Sequence, residues 1–402
     1  MREVWALVAA MAGGMLSTPV HAESFSEFLA AFEPTAVAAG VSPTVYELSV
    51  RGLTPDPTIA KLVDTQPEFT TPIWDYLDAR VSAARIADGI KAMGANGKLF
   101  AATGKRFGVD PYLLGAIWGI ETSYGAVLGN PKYFKPVVRS LATLVYQHRG
   151  RYELDKADFV AALKLVQAGP LDARHLMGSW AGAIGHLQVN PSNVVKYGTD
   201  GDGDGKVDLQ DSLADALATS AQFLLDLGYV PGVDWGYEVS VPKGFDWLLA
   251  DRNNLRPVAF FTALGVKRAN GKPFGDPQVK VFLYAPAGAS GPVFLMTGNY
   301  LVLKGYNFSD SYALAVSALC DRLKGADGFV AGWPRGAKLP NLGQRIAIES
   351  ALAKLGFYQG PADGRIGPLV TLAYAKFQAS RGEVADGFLT AASYDELMAA
   401  SR

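Results

Sequence analysis

The sequence contains one cysteine, Cys320, so no disulfide can form within the chain. Cys320 sits in the apolar stretch 313–323 at helical spacing, where a small buried hydrophobe is expected and not a nucleophile. An excess of one charge is also missing. With 37 basic and 38 acidic residues the net charge is -1, too small a field to draw the chain onto nucleic acid or an anionic membrane. The four histidines, His21, His148, His175 and His186, lack metal-ligand spacing, so no zinc site is expected. The apolar run 4–16 falls short of the roughly 20 residues that span a bilayer. It follows Arg2 and precedes Val20-His21-Ala22, a small-x-small cleavage pattern, so residues 1–22 read as a signal peptide. Lipidation there would need a thiol, and none is near; the mature chain is expected to be exported, soluble and not a lipoprotein.

Apolar residues make up 49% of the 402, enough for two or three units that each bury a core. Helical spacing runs through 25–63, 73–93 and 97–107, and again from 112 to 121 after Asp110-Pro111, an N-cap with proline in the first turn. More helix is expected over 156–168, 213–227 and up to Leu323. Between 235 and 303, short alternating runs such as 237–241 and 279–284 predict a few strands. Residues 325–340, rich in glycine and proline, read as a linker. Beyond it, helix-like runs at 342–355 and 370–381 flank a turn-rich segment and give a small module over 341–402. The expected fold class is mainly α (α+β), with a small β-containing subdomain and a helical C-terminal module.

Glu121 lies four residues after Ile117 and seven after Leu114, so the three share one helix face. A carboxyl held against apolar side chains is desolvated, which favours its protonated form and suits a general acid near neutral pH. A glutamate at a helix end, solvated or paired with an arginine, is the plainer alternative.

The segment Ala116-Ile117-Trp118-Gly119-Ile120-Glu121-Thr122-Ser123-Tyr124-Gly125 resembles the catalytic segment of the membrane-bound lytic transglycosylase B family, glycoside hydrolase family 103. Two further stretches resemble its other signatures: 178–192, carrying Ser179 and Gln188, and Gly305-Tyr306-Asn307-Phe308-Ser309 with Tyr312-Ala313. The resemblance spans residues 25–323 and implies a lysozyme-like catalytic domain over 23–324. It implies Glu121 as sole catalytic residue, with Ser179, Gln188, Tyr306, Asn307 and Tyr124 lining the sugar site. Tyr306 and His186 are further candidates for polarising the substrate. The family's usual Gln-Phe-Met-Pro is Gln188-Val189-Asn190-Pro191 here, implying a narrower or more polar wall, and Phe223 replaces an aromatic that commonly carries a hydroxyl.

Ordinary glycosidases use two carboxylates, whereas the resemblance implies one. Glu121 then protonates the bond between N-acetylmuramic acid and N-acetylglucosamine in peptidoglycan, the substrate's N-acetyl oxygen stabilises the electron-deficient carbon, and Glu121 activates the muramyl C6 hydroxyl. The product is a 1,6-anhydro end, and the implied location is the periplasm. A true muramidase would need a placed water and a second carboxylate. A non-catalytic wall-binding protein would not need the Glu121 segment intact.

Residues 200–211 place Asp200, Asp202, Asp204, Asp208 and Asp211 at positions 1, 3, 5, 9 and 12 of a calcium-loop pattern, with Gly205 at position 6. The Lys206 carbonyl is the expected ligand at position 7. Aspartate at the last position shortens the reach to the ion, so a structural Ca2+ of modest affinity is expected, and no organic cofactor. A solvated acidic turn is the alternative, and one isolated loop lacks the paired arrangement of calcium sensors.

In the C-terminal module, Leu355-Gly356-Phe357, Asp363-Gly364, Gly367, Thr371, Phe377-Gln378 and Asp386-Gly387 resemble the peptidoglycan-binding domain of cell-wall hydrolases. The implied partner is the glycan strand of peptidoglycan, held to raise effective concentration.

Overall fold

The computed structural model describes residues 23–64, 71–148, 150–169 and 171–402. The signal peptide expected over 1–22 lies outside the described residues. Among the described residues the first helices are α1 (Phe25–Ala38), α2 (Pro43–Val50), α3 (Ile59–Asp64), α4 (Ile73–Arg80), α5 (Ala83–Ala95), α6 (Gly97–Phe107) and α7 (Pro111–Thr122). The helical stretch expected over 73–93 is divided into two helices, because the Ser82 hydroxyl accepts from the Arg85 N–H, 3.3 Å, and caps a new start. After a short strand β1 (Lys135–Pro136) come α8 (Val137–Tyr146), α9 (Tyr152–Ala168), strand β2 (Met177–Gly178), α10 (Pro191–Tyr197) and α11 (Leu213–Asp226); β1 and β2 pair antiparallel.

The strand-rich region then follows as β3 (Gly236–Ser240), β4 (Arg256–Pro257), α12 (Val258–Ala263), β5 (Lys267–Arg268), β6 (Lys280–Tyr284) and β7 (Val293–Thr297). The antiparallel sheet has the order β4-β6-β7-β3-β5. Side chains alternate across it. Phe282, Phe294 and Met296 join the main helical core, while Val281, Leu283, Val293 and Leu295 form a second core with Val258 and Phe261 of α12. Covering both faces explains why β7 is buried along its whole length. Helices α13 (Gly298–Asn307) and α14 (Asp310–Leu323) return to the main core. Cys320 is buried there at 1% exposure, and burial pushes its thiol well up, as a structural residue requires.

The C-terminal module has three helices, α15 (Leu342–Lys354), α16 (Pro368–Ser380) and α17 (Ala391–Ala400), one more than its sequence spacing suggested. Leu389 and Leu397 close a separate core with Ile348, Leu352, Val370 and Phe377. The glycine-rich stretch before it has no regular structure but is tied to the larger unit. Glu238 accepts the N–H groups of Val330 (2.7 Å) and Ala331 (2.8 Å), Arg335 forks onto Asp78 at 2.6 and 3.0 Å, and Trp333 packs near Trp74. The module touches the larger unit directly where Asp386 accepts from the Ala289 N–H, 2.9 Å.

Candidate functional site

Helix α7 is apolar all round and buried from Leu113 to Ile120, as a central helix must be. Its start is fixed by Asp110, whose carboxylate accepts from the Tyr112 N–H (2.9 Å) and pairs with Lys324 at the end of α14 (2.6 Å). Its last turn carries Glu121, half-buried. Helix α14 lies alongside and brings Tyr312, 2% exposed, to the same place. Burial pushes the Tyr312 hydroxyl well up, and the charge of Glu121 adds to it; Tyr306 is raised by the same two causes. These two rings stack with planes 4° apart and centroids 6.5 Å apart, and both lie near enough to Glu121 to feel its charge.

The three segments that carry the resemblance each contain a non-glycine residue in the left-handed region. Ser123 (φ 51) and Tyr124 (φ 59) follow Glu121, Gln188 has φ 51, and Phe308 has φ 52 next to Asn307. Such conformations cost on the order of 1–3 kcal/mol each and persist where surrounding contacts impose them. The contacts are visible. Arg85 donates to Ser123 Oγ (3.3 Å), Gln188 Nε2 donates to the Gly185 carbonyl (2.8 Å), and the Phe308 N–H donates to the Lys304 carbonyl (2.6 Å).

Residues 178–190 form a compact double turn. Ser179 Oγ accepts from the Ala183 N–H (3.1 Å), and Ile184 pairs with both Gly178 and Val189. Gly185 (φ 76) admits no side chain because a Cβ would collide with the Leu209 carbonyl. Tyr306 donates to the Leu187 carbonyl (2.8 Å) and lies 3.1 Å from Ser220 Oγ, which ties α13 and α11 to the turn carrying Gln188. The fold thus brings Glu121, Gln188 and Tyr306 to one region. Asn307 ends α13 beside Tyr306, and Ser179 lies at the far end of the same double turn.

Two sequence expectations are corrected. Tyr124 does not present its hydroxyl to a cleft: the group is buried against Gly89 and Gly119, where the missing Cβ atoms leave room for it. The departure at Val189 does not alter a wall, since Val189 is 1% exposed and its backbone bonds Ile184 in both directions. The acidic loop gathers the carboxylate oxygens of Asp200, Asp202 and Asp204 within 4.8 Å of one another, and Asp211 stands outside that group. Lys206 donates its N–H to Asp204 (2.8 Å). The N–H groups of Gly205 (2.8 Å) and Gly203 (2.6 Å) hold the Asp200 carboxyl below its usual range.

Sequence reasoning passed over Asp215, which is 1% exposed and accepts the N–H groups of Gly201 and Asp208, both 2.7 Å, bracing the loop at each end. Its position just past the loop offered no motif to find it by. Phe223 packs between Tyr197 (5.3 Å) and Tyr306 (5.2 Å), so its ring is a spacer that sets the tilt of Tyr306.

Comparison with known proteins decides the family. Residues 24–321 match the transglycosylase SLT domain. The chain belongs to the transglycosylase SLT domain family. Residues 342–397 of this SLT-domain chain match the peptidoglycan binding domain. It is similar to SltB3 of Pseudomonas aeruginosa in complex with NAG-anhNAM-pentapeptide, with 37% identity, a TM-score of 0.86, and coverage of 94% of this chain and all of that one. It is 28% identical over 215 residues to membrane-bound lytic murein transglycosylase B of Escherichia coli, covering 52% of this chain and spanning only 56% of that protein's length. Escherichia coli Slt35 in complex with calcium shares the fold, with a TM-score of 0.62 at 22% identity over 74% of this chain and 92% of that one. The mainly helical architecture with a small sheet agrees with the expected fold class.

Proposed function

We propose that this SLT-domain chain is a peptidoglycan lytic transglycosylase that cleaves the β-1,4 bond between N-acetylmuramic acid and N-acetylglucosamine and leaves 1,6-anhydro ends. The observation that carries this reading is Glu121, at the last turn of a buried apolar helix and close enough to buried Tyr312 and half-buried Tyr306 for its charge to act on both hydroxyls. The similarity to SltB3, solved with an anhydro-sugar peptide, supports the same product. Glu121 donates its proton to the glycosidic oxygen as the bond to C1 breaks. The substrate's N-acetyl oxygen stabilises C1, and the Glu121 carboxylate then takes the C6 hydroxyl proton as O6 bonds to C1. Atoms balance without water, and the internal hydroxyl has the effective-molarity advantage of an intramolecular nucleophile.

Gln188, Tyr306, Asn307 and Ser179 would hold the sugars near this carboxyl. Asp200, Asp202 and Asp204, with the Lys206 carbonyl and Asp211, would hold a Ca2+ ion. Three carboxylates converging within 4.8 Å repel one another and fit a hard divalent cation. The ion would neutralise the loop and stiffen the segment that ends at Leu209. The C-terminal module keeps the enzyme on the polymer. No helix among the described residues is long and apolar enough to cross a membrane; action in the periplasm follows from the peptidoglycan substrate and the expected signal peptide. Digesting purified peptidoglycan with the mature chain and identifying the new sugar ends tests the reading: anhydro ends support it, and reducing ends one water heavier replace it with a muramidase.

A further inference from the structure

We infer that His186 is a positioning residue for Glu121, holding the catalytic turn of α7 to the double turn that carries Gln188; the inference rests on the proposed activity. Three bonds converge on this residue. Its Nδ1 accepts from the Trp118 indole N–H, 3.1 Å; its carbonyl accepts from the Thr122 hydroxyl, 2.7 Å; and its N–H donates to the Leu209 carbonyl, 2.9 Å. Trp118 and Thr122 stand three residues before and one after Glu121, so the glutamate is bracketed by two residues bound to His186. Positions i and i+4 lie on one helix face, so both bonds act on the same side of α7.

The chemistry of these atoms excludes a direct role for Nδ1. An indole N–H only donates, so Nδ1 must be an unprotonated acceptor and cannot polarise a substrate. The ring is held in place on another side by Gly125 (φ 83), where a Cβ would stand 3.1 Å from both Cε1 and Nδ1. Thr122 is fully buried; its hydroxyl also accepts from the Gly125 N–H, 3.1 Å, which fixes the left-handed exit through Ser123 and Tyr124. Trp118 is 4% exposed, so without the imidazole its N–H would lose its partner away from solvent. The other end of the connection is Leu209, within the acidic loop, so that loop and the catalytic helix meet at one residue.

The bond predicts a rate effect separable from folding. His186→Phe keeps an aromatic ring but offers no acceptor, whereas His186→Asn can place Oδ1 where Nδ1 lies. Turnover of soluble glycan fragments by His186→Phe is expected to fall about ten- to a hundredfold with KM changed less than about threefold, since small misplacements of a reacting group cost that much. His186→Asn is expected to recover most of the loss. The Trp118 indole N–H resonance, assigned with Trp118→Phe, should shift and exchange faster with solvent in His186→Phe and stay near its native position in His186→Asn. Native turnover in His186→Phe, or an unchanged indole resonance in it, overturns the inference. A wild-type protein that releases no fragments overturns the proposed activity instead, while the resonance still reports on the bond.

Discussion

Tyr306 donates a 2.8 Å hydrogen bond to the carbonyl of Leu187, so helix α13 holds the turn that presents Gln188. The same hydroxyl lies 3.1 Å from Ser220 on α11. Removing it in Tyr306→Phe leaves the buried Leu187 carbonyl without that donor, at a cost of about 1–3 kcal/mol. Urea unfolding should show that loss, and turnover should drop with it. Unchanged stability would mean that the bond contributes nothing.

Calcium binding is expected to stabilise the chain by mass action, about 2.7 kcal/mol at a hundred times the dissociation constant. Thermal unfolding with calcium and with chelator measures it. Asp200→Asn should abolish the difference, because Asp200 contributes to the carboxylate cluster. A calcium shift that survives this change would place the ion elsewhere.

Asp321 offers a pH signature far from Glu121 in the sequence. Burial first, then the nearby Asp234, pushes its carboxyl up to about 6, although Trp235 donates to it at 3.2 Å. Unfolded, it would titrate near 3.9. The folded state therefore binds more protons between about pH 4 and 6, and stability falls as pH rises through that window. Asp321→Asn should stabilise the chain by about 1–3 kcal/mol at pH 7.5 and have little effect at pH 3.5. Parallel stability curves for the two proteins would refute the shift.

Residues 325–340 should resist proteolysis, because their backbone is bound through Glu238 and their side chains through Arg335. Glu238→Ala combined with Arg335→Ala is expected to expose this stretch, so that limited proteolysis separates the two units. Equal resistance would locate the restraint at the Asp386 contact with Ala289.

Much of this arrangement is legible from local signals. Asp110-Pro111 marks the start of α7, and the apolar repeat Leu114, Ile117 points Glu121 at the interior. The alternation in 279–284 locates β6. What escapes the sequence depends on contacts between distant segments. Nothing near Tyr124 says that glycines at 89 and 119 will make room for its hydroxyl. Nothing near Asp215 says that it will accept N–H groups from both ends of the acidic loop. The stretch 325–340 carries a linker's composition, yet its partners Asp78 and Glu238 lie far upstream. Helix α17 is not announced by its spacing, because its apolar residues are mostly alanine; its Thr390 cap and the packing of Leu397 decide it.

Mass spectrometry of the sugar ends released from purified peptidoglycan by the wild-type chain and by Glu121→Gln bears most directly on the function. Anhydro-muramyl ends from the wild type and none from Glu121→Gln are expected. Anhydro ends released equally by both proteins would show that Glu121 is not the acid and base.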